Sequence, residues 1–267
     1  MTRRELQALF GHKPPVIGMV HLLPLPGSPQ FGGDLQAVHE AALQDAQALV
    51  EGGVSGLIIE NFGDLPFYPD HVPAETVAVM TAIAQDIRRQ TDVPIGINVL
   101  RNDARAALAI AGAVGAQFIR VNVFGYAYVT DQGVLESRAH EIMRLRRWLG
   151  FEVRVFADLF VKHAVPPGRL ALAQAAYDLA HRSLADAVIV SGDITGGEIA
   201  LDDLATVRNR LPEVAILAGS GATPENVNTL LQQADGLIVG SYFKKDRRAR
   251  NRVDATRVRQ LIDTIER

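Results

Sequence analysis

The segment "PIGINVLRNDARAALAIAGAVGAQFIRVN" (94–122) decides how the chain folds. It opens on an apolar run, "PIGINVL" (94–100), and closes on another, "QFIRVN" (117–122). Between them lies an alanine-rich stretch, broken by glycine and too short to span a bilayer. That stretch reads as a buried helix feeding a strand. Two strands joined by a helical crossover run parallel, so the segment is one unit of a parallel sheet covered by helices.

Working outward, the same alternation covers the chain. Apolar runs recur at intervals of about 30 residues. They are "VIGMVH" (16–21), "VSGLIIE" (54–60), the two above, "EVRVFAD" (152–158), "DAVIVSG" (186–192), "EVAILAG" (213–219) and "DGLIVGS" (235–241). Helical faces lie between them: Val77, Met80, Ala84 and Ile87; Ile142, Leu145 and Leu149; Val258, Leu261 and Ile265. Thr223, Pro224 and Glu225 read as an N-cap, a first-turn proline and a first-turn acid. With no long linker and no shift in composition, residues 1–267 are expected to form one domain, with 1–14 as an N-terminal extension. Eight βα units close into a single α/β (β/α)8 TIM barrel of parallel strands, a fold of about 250 residues. The alternative is an open doubly wound sheet. The lack of G-x-G-x-x-G after the first strand counts against it.

The chain has 267 residues, no cysteine and a net charge of -3. The charge balance argues against a nucleic-acid partner. The absence of cysteine excludes disulfides, thiolate metal sites and cysteine nucleophiles, and fits a cytoplasmic protein. The N-terminus shows no apolar segment like a signal peptide's, and no integral membrane segment is expected. The basic run "KKDRRARNR" (244–252) contains Asp246 and reads as a solvated loop.

In a barrel, alternate strand residues face the interior or the helices, and the strand C-termini form the mouth where sites sit. On the fourth strand Ile119 and Val121 must meet the helices, so Arg120 and Asn122 point inside. The same parity puts Asn98 inside on the third strand, and Glu152, Arg154, Phe156 and Asp158 inside on the fifth. His21 closes the first strand and Glu60 the second. A buried charge needs a partner, so Arg120 and Arg154 must meet acids or a ligand anion. Glu152 and Arg154 are expected in an ion-pair layer low in the barrel. Glu60, Asn98, Arg120, Asn122 and Asp158 are expected in a polar pocket at the mouth. His21 belongs to that pocket or is satisfied by a neighbouring carbonyl.

The loops extend the pocket. "LLPLPGSPQFGGD" (22–34) is stiffened by prolines, and Asp34 is placed to cap the first helix. "AGSGATPENV" (218–227) and "VGSYFKK" (239–245) follow the seventh and eighth strands. Those two loops commonly hold phosphate in such barrels, and glycine lets backbone amides approach an anion. Gly219, Ser220, Gly221, Gly240 and Ser241 are therefore candidates for binding a small phosphorylated ligand. "LFVKHAVPPG" follows Asp158 with Lys162 and His163. The lysine is placed to bind an anion, form a Schiff base or reach solvent. "SGDITGGE" (191–198) carries Ser191 and Thr195 and is either a flap over a ligand or a flexible turn. "GYAYVTDQGVLE" (125–136) is long enough to act as a lid. No H-x-x-x-H spacing occurs, and neither a metal nor a cofactor is expected.

The motifs "KPPVIGMVHLLPLPGSP", "IIENFGDLPF", "VPAETVAVMTAI", "IGINVLRNDARAALAIA", "FIRVNVF", "VTDQGVLE", "VFADLFVKHA" and "GSGATPENV" run in order along almost the whole chain. Together they resemble the BtpA/SgcQ family. The resemblance implies a TIM barrel, in agreement with the strand count. The family's name implies a role in photosystem I biogenesis at a membrane surface, and carries no settled reaction. The chain departs from the family pattern in "SGDITGGE" and in "RRARNRVD" after "KKD".

Two functional readings follow. The first is an enzyme acting on a small phosphorylated sugar or nucleoside-like compound, by lyase, isomerase or glycosyl-bond chemistry. Glu60 or Asp158 is then the general acid or base, Lys162 or His163 assists, and His21, Asn98, Arg120, Asn122, Ser191 and Thr195 bind substrate. The second is a non-catalytic protein, either a biogenesis factor or a regulator that binds a phosphate ester. Oligomeric state stays open, with a homo-oligomer as the default.

Overall fold

All eight apolar runs form strands in the computed structural model, which describes residues 1–267 apart from 12, 13, 162, 193–195, 198 and 267. In chain order the elements are α1 (Arg3–Phe10), β1 (Val16–His21), α2 (Leu35–Glu51), β2 (Gly56–Glu60), α3 (Ala74–Gln90), β3 (Ile95–Asn98), α4 (Ala104–Val114) and β4 (Phe118–Val121). There follow β5 (Ala127–Thr130), β6 (Gly133–Glu136), α5 (Ala139–Leu149), β7 (Arg154–Asp158), β8 (Ala164–Val165) and α6 (Leu172–His181). The chain ends with β9 (Ala187–Val190), α7 (Leu201–Arg210), β10 (Ala215–Ala218), α8 (Val227–Leu230), β11 (Gly236–Val239) and α9 (Ala255–Glu266). The closed barrel runs β1-β11-β10-β9-β7-β4-β3-β2, with every neighbouring pair parallel.

Strand parity holds around the ring. Ile119, Val121, Val155 and Ala157 join the core between strands and helices. Ile17, Met19, Ile58, Phe118, Phe156, Ile189, Leu217 and Ile238 form a separate core inside the barrel. Asp34 caps α2, accepting the Ala37 amide at 2.9 Å.

The N-terminal segment is part of this interior. Thr2 and Glu5 make a reciprocal capping box that starts α1. Leu6 and Phe10, one turn apart, lie in the inner core. The Phe10 ring meets Phe118 edge-on at 5.6 Å, and Phe118 stacks on Phe156 at 4.5 Å. Helix α1 therefore plugs the base of the barrel. The plug leaves no place there for the expected ion-pair layer. Glu152 and Arg154 are instead exposed, and Arg154 reaches Asp186 at 3.5 Å.

Two loops differ from expectation. The 125–136 segment is an ordered hairpin, β5–β6, extended by β8 into a three-stranded antiparallel sheet. The helix expected to start at Thr223 starts at Val227 and is a single turn, because the Asn226 side chain accepts the Thr223 amide and holds 223–226 as a turn.

Candidate active site

The inward face of β1, β2, β3, β4 and β7 turns polar in its last residues: His21, Glu60, Asn98, Arg120 and Asp158. His21 on β1 and Glu60 on β2 are register partners, and so are Glu60 and Asn98 on β3. His21, Glu60 and the loops above line a cavity of about 680 Å³, within the range of small-ligand sites.

The best-defined feature of its wall is a buried charge pair. Arg120 donates from Nε to Asp158 Oδ2 at 3.2 Å and from Nη2 to Oδ1 at 3.0 Å. Asn122 donates to Asp158 Oδ2 at 2.7 Å. Asn98 donates to the Arg120 carbonyl at 3.1 Å and to Asn122 Oδ1 at 3.2 Å. Burial works against the Arg120 charge, but Asp158 and Glu60 outweigh it and hold the guanidinium above its ordinary value. Arg101 is 8% exposed. Burial pulls its value down, against the opposing pull of Asp158, Glu60 and Asp131.

His21 and Glu60 form a second pair. His21 Nδ1 lies 2.9 Å from the Ala249 carbonyl, an acceptor only, so Nδ1 carries the proton. That leaves Nε2 facing Glu60 Oε1 at 3.6 Å. The imidazole stacks on Phe62 with centroids 4.3 Å apart. A carboxylate beside an oriented imidazole is equipped to move protons.

The glycine loops complete the lining with Gly219, Ser220, Gly221, Gly240 and Ser241, and Gly240 lies against the His21 ring. A Cβ on Gly219 would lie 2.4 Å from Ile189 and 2.6 Å from the Ser191 hydroxyl, so only glycine fits there. Gly221 has φ 67°, a left-handed conformation that glycine adopts without strain.

A model of the BtpA family matches residues 12–267. The chain belongs to the BtpA family. It is 47% identical over 261 residues to the photosystem I biogenesis protein BtpA of Synechocystis sp., covering 98% of this chain and 91% of that one. It is 34% identical over 263 residues to the putative sgc region protein SgcQ of Escherichia coli, covering 97% of both chains. Among solved structures, N-(5'-phosphoribosyl)anthranilate isomerase from Pyrococcus furiosus matches with a TM-score of 0.58 at 14% identity, covering 96% of this chain and 99% of that one. A dihydropteroate synthase from Xanthomonas albilineans matches with a TM-score of 0.58 at 17% identity, covering 95% and 91%. At such identities the likeness is one of fold.

In this BtpA-family barrel the mouth brings together His21, Glu60, Arg120, Asn122, Asp158 and His163. Asn98 and Ser191 stand behind the wall. Asn98 braces Arg120 and Asn122, and Ser191 lies against Gly219. Lys162 and Thr195 lie outside the described residues. Two backbone details narrow the anion-binding candidates. The Gly219 amide is committed to the Val190 carbonyl at 2.7 Å. The Ser220 hydroxyl accepts the Gly192 amide at 2.8 Å and donates to the Gly197 carbonyl at 3.0 Å, tying two loops together. Among the described residues no group of three His, Asp or Glu is arranged to hold a metal ion, and no helix is long and apolar enough to cross a membrane.

Sequence reasoning missed Arg101 and Arg247, which line the cavity, and read Asp131 and Gln132 only as part of a lid-length loop whose tip also lines it. Arg101 follows the end of β3, where parity no longer applies. Arg247 lies in the basic run. Lys245 to Arg248 are exposed, as expected of a solvated loop, but Lys244 is fully buried and paired with Asp45 at 2.9 Å. The Ala249 carbonyl that orients His21 belongs to the same run.

Proposed function

We propose that this BtpA-family barrel is an enzyme acting on a small phosphorylated sugar or nucleoside-like compound. One observation carries the reading: a single cavity is lined both by proton-transfer groups and by two glycine loops. The phosphate lies against the 219–223 and 240–241 loops. Among the amides there, those of Gly221 and Ala222 donate to no backbone carbonyl among the described residues. Glu60, backed by His21, is the acid–base group. Asp158 is a poorer candidate, because Arg120 and Asn122 occupy both its oxygens. It fixes those two side chains, which orient the substrate's hydroxyl or carbonyl oxygens, and His163 assists from the rim. Lyase, isomerase and glycosyl-bond reactions all require a proton moved at such a site.

The test is a panel of sugar and nucleoside phosphates against the purified chain. At least one is expected to raise the melting temperature, with a ligand at a hundred times its Kd adding about 2.7 kcal/mol. The matching unphosphorylated compound is expected to have no effect. With that ligand, Glu60→Gln is expected to keep binding and to lose turnover by about 10²- to 10⁴-fold. A panel without effect would overturn the reading. A second reading, a scaffold for assembling a membrane complex, is favoured by the 47% identity to the photosystem I biogenesis protein. It would be supported if cavity variants kept biological activity while outer-surface variants lost it.

A further inference from the structure

Residues 244–253 form a strap beside the glycine-loop wall. Both its ends are tied to one carboxylate, Asp45 on α2. Lys244 Nζ donates to Asp45 Oδ2 at 2.9 Å, Arg252 Nε donates to Oδ1 at 2.8 Å and the Val253 amide donates to Oδ1 at 3.0 Å. The Lys245 amide donates to the Arg252 carbonyl at 2.9 Å and closes the neck. Within the strap Asp246 and Arg247 are consecutive residues at φ 55°. L-residues avoid this conformation, and it persists where the surroundings impose it. The turn it makes puts Arg247 on the cavity wall with Thr223, Ser241 and Tyr242.

Arg247 differs from the other cavity arginines in its company. Arg120 is matched by Asp158, and Arg101 is flanked by Asp158, Glu60 and Asp131. Among the described residues no carboxylate lies within ion-pair distance of Arg247, whose guanidinium sits 5.4 Å over the Tyr242 ring. One wall of the cavity thus balances its charges. The other carries a cation with no ion-pair partner among the described residues, felt by the Glu225 carboxylate only through space, in a lining shared with Gly221 and Ala222.

We propose that Arg247 is the specificity-determining residue of this site and selects a phosphate monoester, a claim that rests on the reading under Proposed function. A guanidinium fork matches two oxygens of one phosphate, which a hydroxyl or an amide cannot supply. The substrate class is a compound with one phosphate end and an uncharged polar remainder. A second phosphate at the far wall would meet cations that already have carboxylate partners.

The experiment is calorimetry on the full chain and its Arg247→Gln and Arg247→Lys variants. The probes are inorganic phosphate, ribose 5-phosphate, ribose 1,5-bisphosphate and ribose. Arg247→Gln is expected to weaken inorganic phosphate and ribose 5-phosphate about ten- to hundredfold. Its melting temperature should stay unchanged, because the residue is exposed at the rim. Arg247→Lys is expected to recover part of the affinity, and the bisphosphate to bind no tighter than the monophosphate. If wild type and Arg247→Gln bind inorganic phosphate equally well, Arg247 is not the selector and the wider function stands. Tighter binding of the bisphosphate would overturn the monoester class. If wild type binds none of the phosphate compounds, this inference fails, and the panel decides the wider reading separately.

Discussion

The base and the mouth of this barrel are built by the same strands at the same parity, yet their chemistry is opposite. At the base the inward residues are Phe118 and Phe156, roofed by Leu6 and Phe10 of α1, all of them apolar and buried. Two to four residues further along, the inward positions are Arg120, Asn122 and Asp158. Glu60, Arg101, Arg120 and Asp158 are between 4% and 8% exposed. Burying apolar area stabilises a fold, at about 25 cal/mol per Å². Burying charges costs desolvation that pairing offsets only in part. The base therefore holds the barrel together, while the mouth is kept in a state that stability alone would not select.

The largest effect expected is at the base. Phe118→Ala removes a ring that touches both Phe10 and Phe156 and should lower unfolding free energy by about 3–5 kcal/mol in denaturant titrations. The protein that remains folded should keep its ligand affinity. A strong loss of affinity per folded molecule would break the division between the two ends. The mouth should behave differently. Arg120→Met alone strands the Asp158 charge and should cost up to about 3 kcal/mol, the low end for a broken buried pair, because the cavity admits water. Arg120→Met combined with Asp158→Leu should restore most of that stability and still bind no ligand. A double variant as unstable as the single one would mean that the pair is structural.

The smallest effect concerns the neck of the strap. Burial pushes the Asp45 carboxyl up, but Lys244, the Val253 amide and Arg252 outweigh it and leave it below its ordinary value. A carboxylate depressed in the folded state stabilises the fold above its unfolded pKa, about 3.9, and loses that contribution as pH falls through the folded value. The stability gap between wild type and Asp45→Asn should be open at pH 5 to 7 and close below about pH 4. A gap independent of pH would show that the Asp45 charge does not hold the neck.

Much of this was legible in the chain itself, for a physical reason. Parallel strands are covered on both sides and read as short apolar runs, and a polar residue within such a run must face the lumen. That argument expects Glu60, Asn98, Arg120, Asn122 and Asp158 around the mouth, and all but Asn98 line the cavity. It does not distinguish Asn98, which braces its neighbours, from Asn122, which meets the cavity. The α1 plug had local signals, a T-x-x-E box at Thr2–Glu5 and apolar residues one turn apart, that pass easily for an extension. The strap had none. Lys244 opens a charged run in the sequence, and its burial is decided by Asp45, 199 residues away. The β5–β8 pairing is also non-local, though over a shorter span, since Val129 pairs with Val165 across β6, α5 and β7.

The plugged base has a consequence for traffic. Met19 and Ile238 form the bottom of the cavity, and below them the lumen is filled. Among the described residues the base offers no second opening, so a molecule that enters through the mouth leaves through it. For the turnover proposed above, product and incoming substrate share that one doorway, so a product that lingers in the mouth inhibits.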